Sequence, residues 1–499
     1  MNLAHRYEQL RNGAVREEPL LSVPRQWSEL EVQAHWFAGD FGRDFVTTTG
    51  QSVRIVQFGV WNREAGPDFA EAAVSFGGAG RTGGGPDRTE EDPQRGSIEI
   101  DLDARDWERH GHATNPHYES VVLHIHTRPS GPEFFTRTAA HRLVPQVFLD
   151  LNQLSGDLAP TVPEAKLGRC SGPLRELPDD KVREVLLGAA QFRLRRKAGA
   201  LARLAELHGP DEALYQALAA TLGYKNNKLP FTLLAQRLPL RLLRKLEAGG
   251  PAVVRASCLP PEESRLEART TIRLAAPGPS RTGSRLGLLF GVSGFLPHDL
   301  GALDPQTRSY LRTVWEKWWP RRAEFERLEI APDLWCMSGQ RPMNHPQRRL
   351  AALAEMVALW PKLRALADRC EPGELHEFFA DLTDDYWDFH YTVTSKTAAR
   401  RMALVGESRV TEMLANVFFP LAVAQNEARW ADFKKLRAPL ANQRVEVAAL
   451  RLFGESVRKA EFLRSVALQQ GLLQIYEDFC LRDATDCARC PFPRQLAGW

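Results

Sequence analysis

The residues whose types and spacing could support chemistry are concentrated between positions 66 and 126. Glu99 and Asp101 lie two residues apart in the strand-like segment GSIEIDL, so their side chains point to the same face of a strand. Asp68, in GPDF, begins the preceding strand-like segment. If these segments pair, the three carboxylates form a cluster that needs a neutralising cation. We therefore expect a Mg²⁺ or Mn²⁺ site with Asp68 and Glu99 as ligands, and with Asp101 and His124 orienting a water molecule.

The elements that would position these residues follow from periodicity and from helix capping. Ser28 is a candidate N-cap for the amphipathic segment SELEVQAHWF. Short runs rich in β-branched residues predict neighbouring strands over 52–61, 69–76, 96–102 and 120–127. Residues 77–96 are rich in glycine, proline and charge and predict a mobile loop. From about residue 167 onward the apolar spacing becomes helical.

This order of elements and acids resembles the PD-(D/E)XK nuclease fold. The resemblance implies that two acids hold Mg²⁺ at Asp68 and Glu99-x-Asp101, and that the preceding helix, which bears Glu31, contributes to catalysis. Residues 1–165 contain no lysine, so Asp101 occupies the position of the lysine in that motif. His124 or a second metal ion would then have to orient the attacking water.

Two other interpretations of the same residues stay open. His110, His112 and His124 could be the ligands of a different metal-dependent hydrolase, and histidine ligation would favour Zn²⁺ or Mn²⁺. Alternatively, the acids and histidines only line a polar face of the sheet.

A second candidate site is the C-terminal segment FCLRDATDCARCPFP. It spaces Cys480, Cys487 and Cys490 as C-x6-C-x2-C, and a C-x2-C pair suits tetrahedral zinc or an iron–sulfur cluster. Cys170 is the best candidate for the fourth ligand. Seven cysteines in a chain of this length argue against a disulfide framework. Buried thiols without a metal are the alternative.

Charge is unevenly distributed along the chain. Residues 1–165 carry 15 arginines and 24 acidic residues, a net charge of −9, whereas residues 166–260 carry 17 basic and 8 acidic residues, a net charge of +9. The basic segment could bind DNA or RNA phosphates, or it could pack against the acidic region. The candidate phosphate-binding residues are Arg193, Arg195, Arg196 and Lys197.

Length and composition set the fold class. A chain of 499 residues with 43% hydrophobic and 25% charged residues predicts a globular protein of at least two packed units. We expect an α+β protein: residues 25–160 form a mixed sheet with flanking helices, restriction-endonuclease-like, and residues 165–499 form a large irregular all-α region. Apolar runs of membrane-helix length and an N-terminal signal peptide are not evident, so we expect a cytoplasmic protein without a membrane partner. The sequence leaves the oligomeric state open.

The chain also resembles a bacterial family of domains of unknown function, number 2851. The resemblance covers most of the chain and rests on long collinear segments. They include WNREAGPDF (61–69), GSIEIDLDARDWERHGH (96–112), YESVVLHIH (118–126), RLRRKA (193–198), LGYKNNKLPFTLLAQRLPL (222–240), LLFGVSGFLP (288–297), RPMNHPQRRLAALA (341–354) and the cysteine motif. The family implies no activity. The pairing of one upstream cysteine with three C-terminal ones additionally resembles certain iron–sulfur nucleases.

The sequence thus supports one leading function and one alternative. The leading hypothesis is a metal-dependent nuclease that hydrolyses phosphodiesters of DNA or RNA. The alternative is a non-catalytic scaffold that binds nucleic acid or protein and carries a structural metal–cysteine site.

Overall fold

The computed structural model describes most of the chain and shows an N-terminal mixed sheet followed by a large helical region, which confirms the predicted α+β class. The residues that it describes are 2–13, 27–77, 93–128, 134–151, 154, 170, 172–224, 226–246, 283–337, 342–439, 442–481 and 490–499. Most of the predicted loop at 77–96 lies outside them. Residues Gln94–Gly96 of that segment belong to a strand, which therefore begins earlier than predicted.

The sheet has seven strands in the order β1-β2-β4-β5-β6-β9, and β3 pairs with β4. The pairs β1–β2, β2–β4, β3–β4 and β4–β5 are antiparallel, whereas β5–β6 and β6–β9 are parallel. Strands β7 and β8 form a separate two-stranded sheet. The strand bounds are β1 Asp44–Val46, β2 Ser52–Gln57, β3 Val60–Trp61, β4 Phe69–Phe76, β5 Gln94–Asp101, β6 Val121–His126, β7 Thr136–Arg137, β8 Leu143–Val144 and β9 Gln146–Phe148.

The helical region is built around one long helix, α4, of 30 residues. Helices α1, α5, α15 and α19 pack against it. The helix bounds are α1 Leu3–Asn12, α2 Glu29–Phe37, α3 Asp106–Arg109, α4 Asp179–His208, α5 Pro210–Leu222, α6 Lys228–Arg237, α7 Leu240–Lys245, α8 Gly283–Val292, α9 Pro305–Trp318, α10 Arg322–Phe325, α11 Pro346–Ala358, α12 Trp360–Arg369, α13 Pro372–Ala380, α14 Glu407–Met413, α15 Phe419–Gln425, α16 Trp430–Phe433, α17 Gln443–Phe453, α18 Lys459–Phe462, α19 Val466–Ile475 and α20 Phe492–Ala497.

Two segments differ from the helical prediction. Residues 399–406 are irregular, and α14 begins only at Glu407. The carbonyls of Met402 and Ala403 accept hydrogen bonds from the buried Arg348 guanidinium, and that of Leu404 accepts one from Arg349. Backbone groups bound in this way do not form helical hydrogen bonds. Conversely, the proline-rich segment 258–287 predicts a loop, but its last residues, Gly283–Gly287, open helix α8.

One hydrophobic cluster joins the sheet to the helical region. It contains the inner faces of α2, β2, β4, β5 and β6 together with helices from α4 onward. A second cluster joins α1, the first half of α4, α17, α19 and α20. The proposed domain boundary near residue 164 stays a prediction, because most residues between 152 and 171 are outside the described set. Within the described part of the chain, no helix combines the length and the apolar character that crossing a membrane requires.

Candidate metal centre

The polar face of the sheet results from alternation along β5. Ile98 and Ile100 are fully buried in the main hydrophobic cluster, so Glu99 and Asp101 point to the opposite face. These two side chains are nevertheless shielded from solvent, because the residues from Asp106 to Tyr118 cover this end of the sheet. A pair of carboxylates is thereby held in a largely buried pocket.

Asp68 joins the pair through reciprocal hydrogen bonds between β4 and β5. The Asp68 N–H donates to Glu99 Oε2 at 2.9 Å, and the Ile100 N–H donates to Asp68 Oδ2 at 3.0 Å. The turn before Asp68 contains Gly66 at φ +134°, where a side chain would also press against the His117 carbonyl. Asp68 therefore lies beside Glu99, and the shared cleft and metal site of Asp68, Glu99 and Asp101 stay predictions.

Two histidines from the loop after α3 complete the cluster. His110 Nδ1 lies 3.3 Å from Asp101 Oδ1, and His112 Nδ1 lies 3.5 Å from Glu99 Oε1. One ligand atom from each of Asp101, His110 and His112 lies within 4.8 Å of the others. Gly111 between the histidines adopts φ +78°, which lets the loop turn so that both rings face the carboxylate. This is the histidine set that the sequence supported as an alternative, with Asp101 in place of His124.

An aromatic clamp fixes the His112 ring. Tyr118 stacks on it with a centroid separation of 4.0 Å, and Trp107 packs edge-on at 5.4 Å. The fully buried Trp107 is itself anchored, because its Nε1 donates to the Arg137 carbonyl at 2.8 Å. The Nδ1 atom of His112 is buried without a hydrogen-bond partner among the described residues, and burial lowers the pKa of this histidine. A neutral imidazole nitrogen aimed at two carboxylates fits a metal ligand.

His124 lies beneath the cluster. Its side chain is fully buried, with Nδ1 2.7 Å from Thr136 Oγ1 and Nε2 3.1 Å from Asp101 Oδ2. Both ring nitrogens are therefore engaged. This geometry supports a role in orienting the Asp101 carboxylate, whereas the predicted contact with an attacking water is untested.

Helix α2 contributes Glu29 and Gln33 to the surroundings of Asp68, and the catalytic role of Glu31 stays a prediction. The Glu31 carboxylate accepts hydrogen bonds from the Ser28 N–H and hydroxyl at 3.0 and 3.1 Å, and the two residues form a capping box. Gln33 Nε2 donates to Glu29 Oε1 at 3.0 Å and also hydrogen-bonds the Asp68 carboxyl. Glu29 is thus the helix carboxylate that acts on Asp68.

Burial and mutual repulsion disfavour the charged forms of the acids. Burial and then the charge of Glu29 raise the pKa of Asp68 to about 8. Burial, Asp68 and Asp101 raise the pKa of Glu99 well above its ordinary value. At neutral pH these carboxyls bind protons unless a cation replaces them. The cluster therefore has the electrostatic character of a cation site.

The basic residues of α4 form ion pairs and hydrogen bonds with other parts of the protein. Arg193 and Arg196 donate to the two oxygens of Glu477 at 2.7 and 3.0 Å. Arg195 pairs with Glu427, and Lys197 donates to Asn416 and to Gln470. These contacts hold α4 against the C-terminal helices. Phosphate binding by the four residues stays a prediction, and it would have to compete with these contacts.

The cysteine site is described only in part. Cys170, Cys480 and Cys490 are half-buried, and the last two pack against the second hydrophobic cluster. Cys487 lies outside the described residues. The shared zinc or iron–sulfur site of these four cysteines stays a prediction.

Comparison with known proteins identifies a family but no activity. No curated protein and no solved structure matches the chain. A family model described as "Protein of unknown function (DUF2851)" matches residues 31–255 and 274–441, which include Asp68, Glu99, Asp101, His110 and His112. The chain therefore belongs to the DUF2851 family.

Proposed function

We propose that the N-terminal region is a divalent-metal-dependent phosphodiesterase that acts on nucleic acid. The observation that carries the proposal is the approach of Asp101, His110 and His112 to within 4.8 Å, in a cluster whose other acids have raised pKa values. A mixed imidazole and carboxylate donor set suits Mn²⁺ or Zn²⁺ better than Mg²⁺. Such an ion would polarise a phosphoryl oxygen and lower the pKa of a bound water.

The surrounding residues have separable tasks in this proposal. Asp101 would bind the ion, and His124 fixes the orientation of its carboxylate. Glu99 Oε1 faces His112, so it would be a fourth ligand or would hold the water. Asp68 has a pKa of about 8 in the metal-free protein and lies at the more accessible edge, which suits a group that exchanges a proton near neutral pH.

A second arrangement of the metal is supported by the pairing of β4 with β5. The Glu99 carboxylate accepts from the Asp68 N–H, and the Asp68 carboxylate accepts from the Ile100 N–H, so Asp68 and Glu99 would together hold Mg²⁺ in the nuclease-like hypothesis. Metal binding depends on histidine ligands in the first arrangement but not in the second. Loss of His112 removes a ligand in the first arrangement and leaves both ligands of the second in place.

The proposal is tested by cleavage of labelled single-stranded and duplex DNA and RNA with Mn²⁺, Zn²⁺ or Mg²⁺. We expect Asp101→Asn and His112→Ala to reduce cleavage by about 100-fold or more, since a lost ligand removes several kcal/mol of transition-state stabilisation. Glu108→Gln is the matched control, because Glu108 is exposed and lies two residues before His110. Wild-type protein that cleaves none of these substrates with any of the ions would refute the proposal and favour the non-catalytic scaffold.

A further inference from the structure

A cationic and aromatic surface begins beside the hairpin that carries Asp68. The Asn62 N–H donates to the Asp68 carbonyl at 2.9 Å, and Trp61 pairs with Phe69 across the same hairpin. The Arg237 guanidinium, from α6, lies over the Trp61 ring at 4.9 Å, and the Asp68 charge acts on it. Arg237 is therefore the cation next to this end of the acid cluster.

Arg237 connects the hairpin to the segment that follows α10. Its Nη1 donates to the carbonyls of Leu328 and Glu329, each at 3.2 Å. Its Nε is buried and has no hydrogen-bond partner among the described residues. From Leu328 and Glu329 the surface continues toward helix α10, which precedes them in the chain.

Two further arginines lie around Phe325. The guanidinium groups of Arg63 and Arg321 each lie 4.9 Å from the centre of its ring, and both approach the Glu324 carboxylate, at 3.6 and 2.7 Å. One carboxylate is thus shared by two guanidinium groups. Burial lowers the pKa of Arg63, the Glu324 carboxylate opposes this shift, and the positive charges of Arg321 and Arg241 lower the pKa further.

The far end of the surface is an exposed tryptophan. Trp319 is 60% exposed, which is unusual for so large an apolar side chain. The Arg322 guanidinium lies 5.7 Å from the ring centre, and Trp315 lies 5.9 Å away on the same helical segment. Trp319 is the one exposed ring among the described aromatic residues of this surface, and an exposed ring flanked by arginines can stack an unpaired base and hold its phosphate.

We propose that Arg63, Arg237, Arg321, Arg322 and Trp319 form a binding surface for an unpaired nucleic-acid strand, with a base stacked on Trp319 and the strand directed toward Asp68. We call it the Trp319 surface. The direction of the strand rests on the proposed function, whereas binding itself does not and is measured without metal. Like the basic residues of α4, these arginines also contact groups of the protein itself, and what distinguishes this surface is the exposed Trp319 ring.

The test is fluorescence anisotropy of a labelled oligothymidylate longer than about 16 nucleotides, titrated with full-length protein in EDTA. We expect Trp319→Ala to weaken binding by roughly 5- to 150-fold, the range for loss of one stacked base, and Trp319→Phe to weaken it less. Arg322→Ala should reduce the slope of log affinity against log salt by about 0.7. Arg54→Ala is the charge-matched control, because Arg54 is an exposed arginine on strand β2.

The outcomes separate this inference from the proposed function. Binding that depends on Trp319 and Arg322, in a protein without cleavage activity, would support the surface and refute the nuclease. Cleavage and binding that are unaffected in Trp319→Ala and Arg322→Ala would refute the surface and leave the nuclease. Wild-type protein that binds no strand would overturn the inference and indicate that Trp319 contacts another protein.

Discussion

The raised pKa of Asp68 predicts that the metal-free protein loses stability as the pH rises. Asp68 titrates near 3.8 when unfolded and at about 8 when folded, so it contributes to stability while protonated and loses that contribution as the pH passes through the folded value. The buried His112 and His126 act in the opposite direction, because their lowered pKa values add stability as the pH rises toward 6.5. At pH 6.5 half of the unfolded histidines are still protonated, so each of these histidines adds up to about 0.4 kcal/mol more between pH 6.5 and pH 8. This gain offsets part of the loss from the acids.

The size of the effect follows from these values. Between pH 6.5 and pH 8 the folded Asp68 releases about half a proton per molecule, while the unfolded residue is already ionised. Integrating the proton difference over this interval gives a loss of about 1.5 kcal/mol from Asp68 alone. Glu99, whose pKa is also raised, adds to the loss.

Urea unfolding in EDTA, followed by circular dichroism at pH 6.5 and pH 8, measures this difference. The histidine contributions are common to the wild type and to Asp68→Asn, so the difference between the two proteins isolates Asp68. Asp68→Asn should lose about 1.5 kcal/mol less stability than the wild type over this interval, and Glu108→Gln should behave as wild type. The same change in Asp68→Asn as in the wild type would refute the electrostatic account of the cluster.

Three further predictions concern the N-cap of α2, the charge of Glu29 and the contacts of α4. Ser28→Ala should lower the free energy of unfolding by about 1 kcal/mol, because it removes the cap of α2, and it should leave the Mn²⁺ affinity unchanged. Glu29→Gln should lower the pKa of Asp68 and so reduce the loss of stability between pH 6.5 and pH 8; the same urea series measures both changes in stability. An altered Mn²⁺ affinity in Ser28→Ala would contradict the purely structural role of the cap. Glu477→Ala should destabilise the protein by about 3 kcal/mol because it leaves Arg193 without its carboxylate in a largely buried contact; unchanged unfolding would show that this ion pair is not structural.

Part of the fold and of the site follows from local sequence rules. Alternation in GSIEIDL places Glu99 and Asp101 on one face, and the strands and the helix after Ser28 appear where their patterns indicate. The capping role of Glu31 could also be predicted from the sequence, since Ser28-x-x-Glu31 has the spacing of a capping box. Glu31 is two residues from Glu29, so the two side chains point in different directions around the helix.

The remaining features depend on contacts between distant parts of the chain. His110 and His112 reach Asp101 only through the path of the loop, which includes the left-handed Gly111. The partner of Arg193 lies 284 residues away at Glu477, so local charge could not show that this arginine is paired. The exposure of Trp319 likewise follows from helix packing and not from the WEKWWPRR segment alone.

The most direct test of the account is an anomalous difference map from crystals of the full-length protein grown with Mn²⁺ or Zn²⁺. We predict one peak bounded by Asp101, His110 and His112, about 2.0–2.3 Å from a carboxylate oxygen and from one ring nitrogen of each histidine. The His112→Ala variant should lack this peak. The absence of any peak at the cluster in fully soaked wild-type crystals, or a peak that persists unchanged in His112→Ala, would contradict the account.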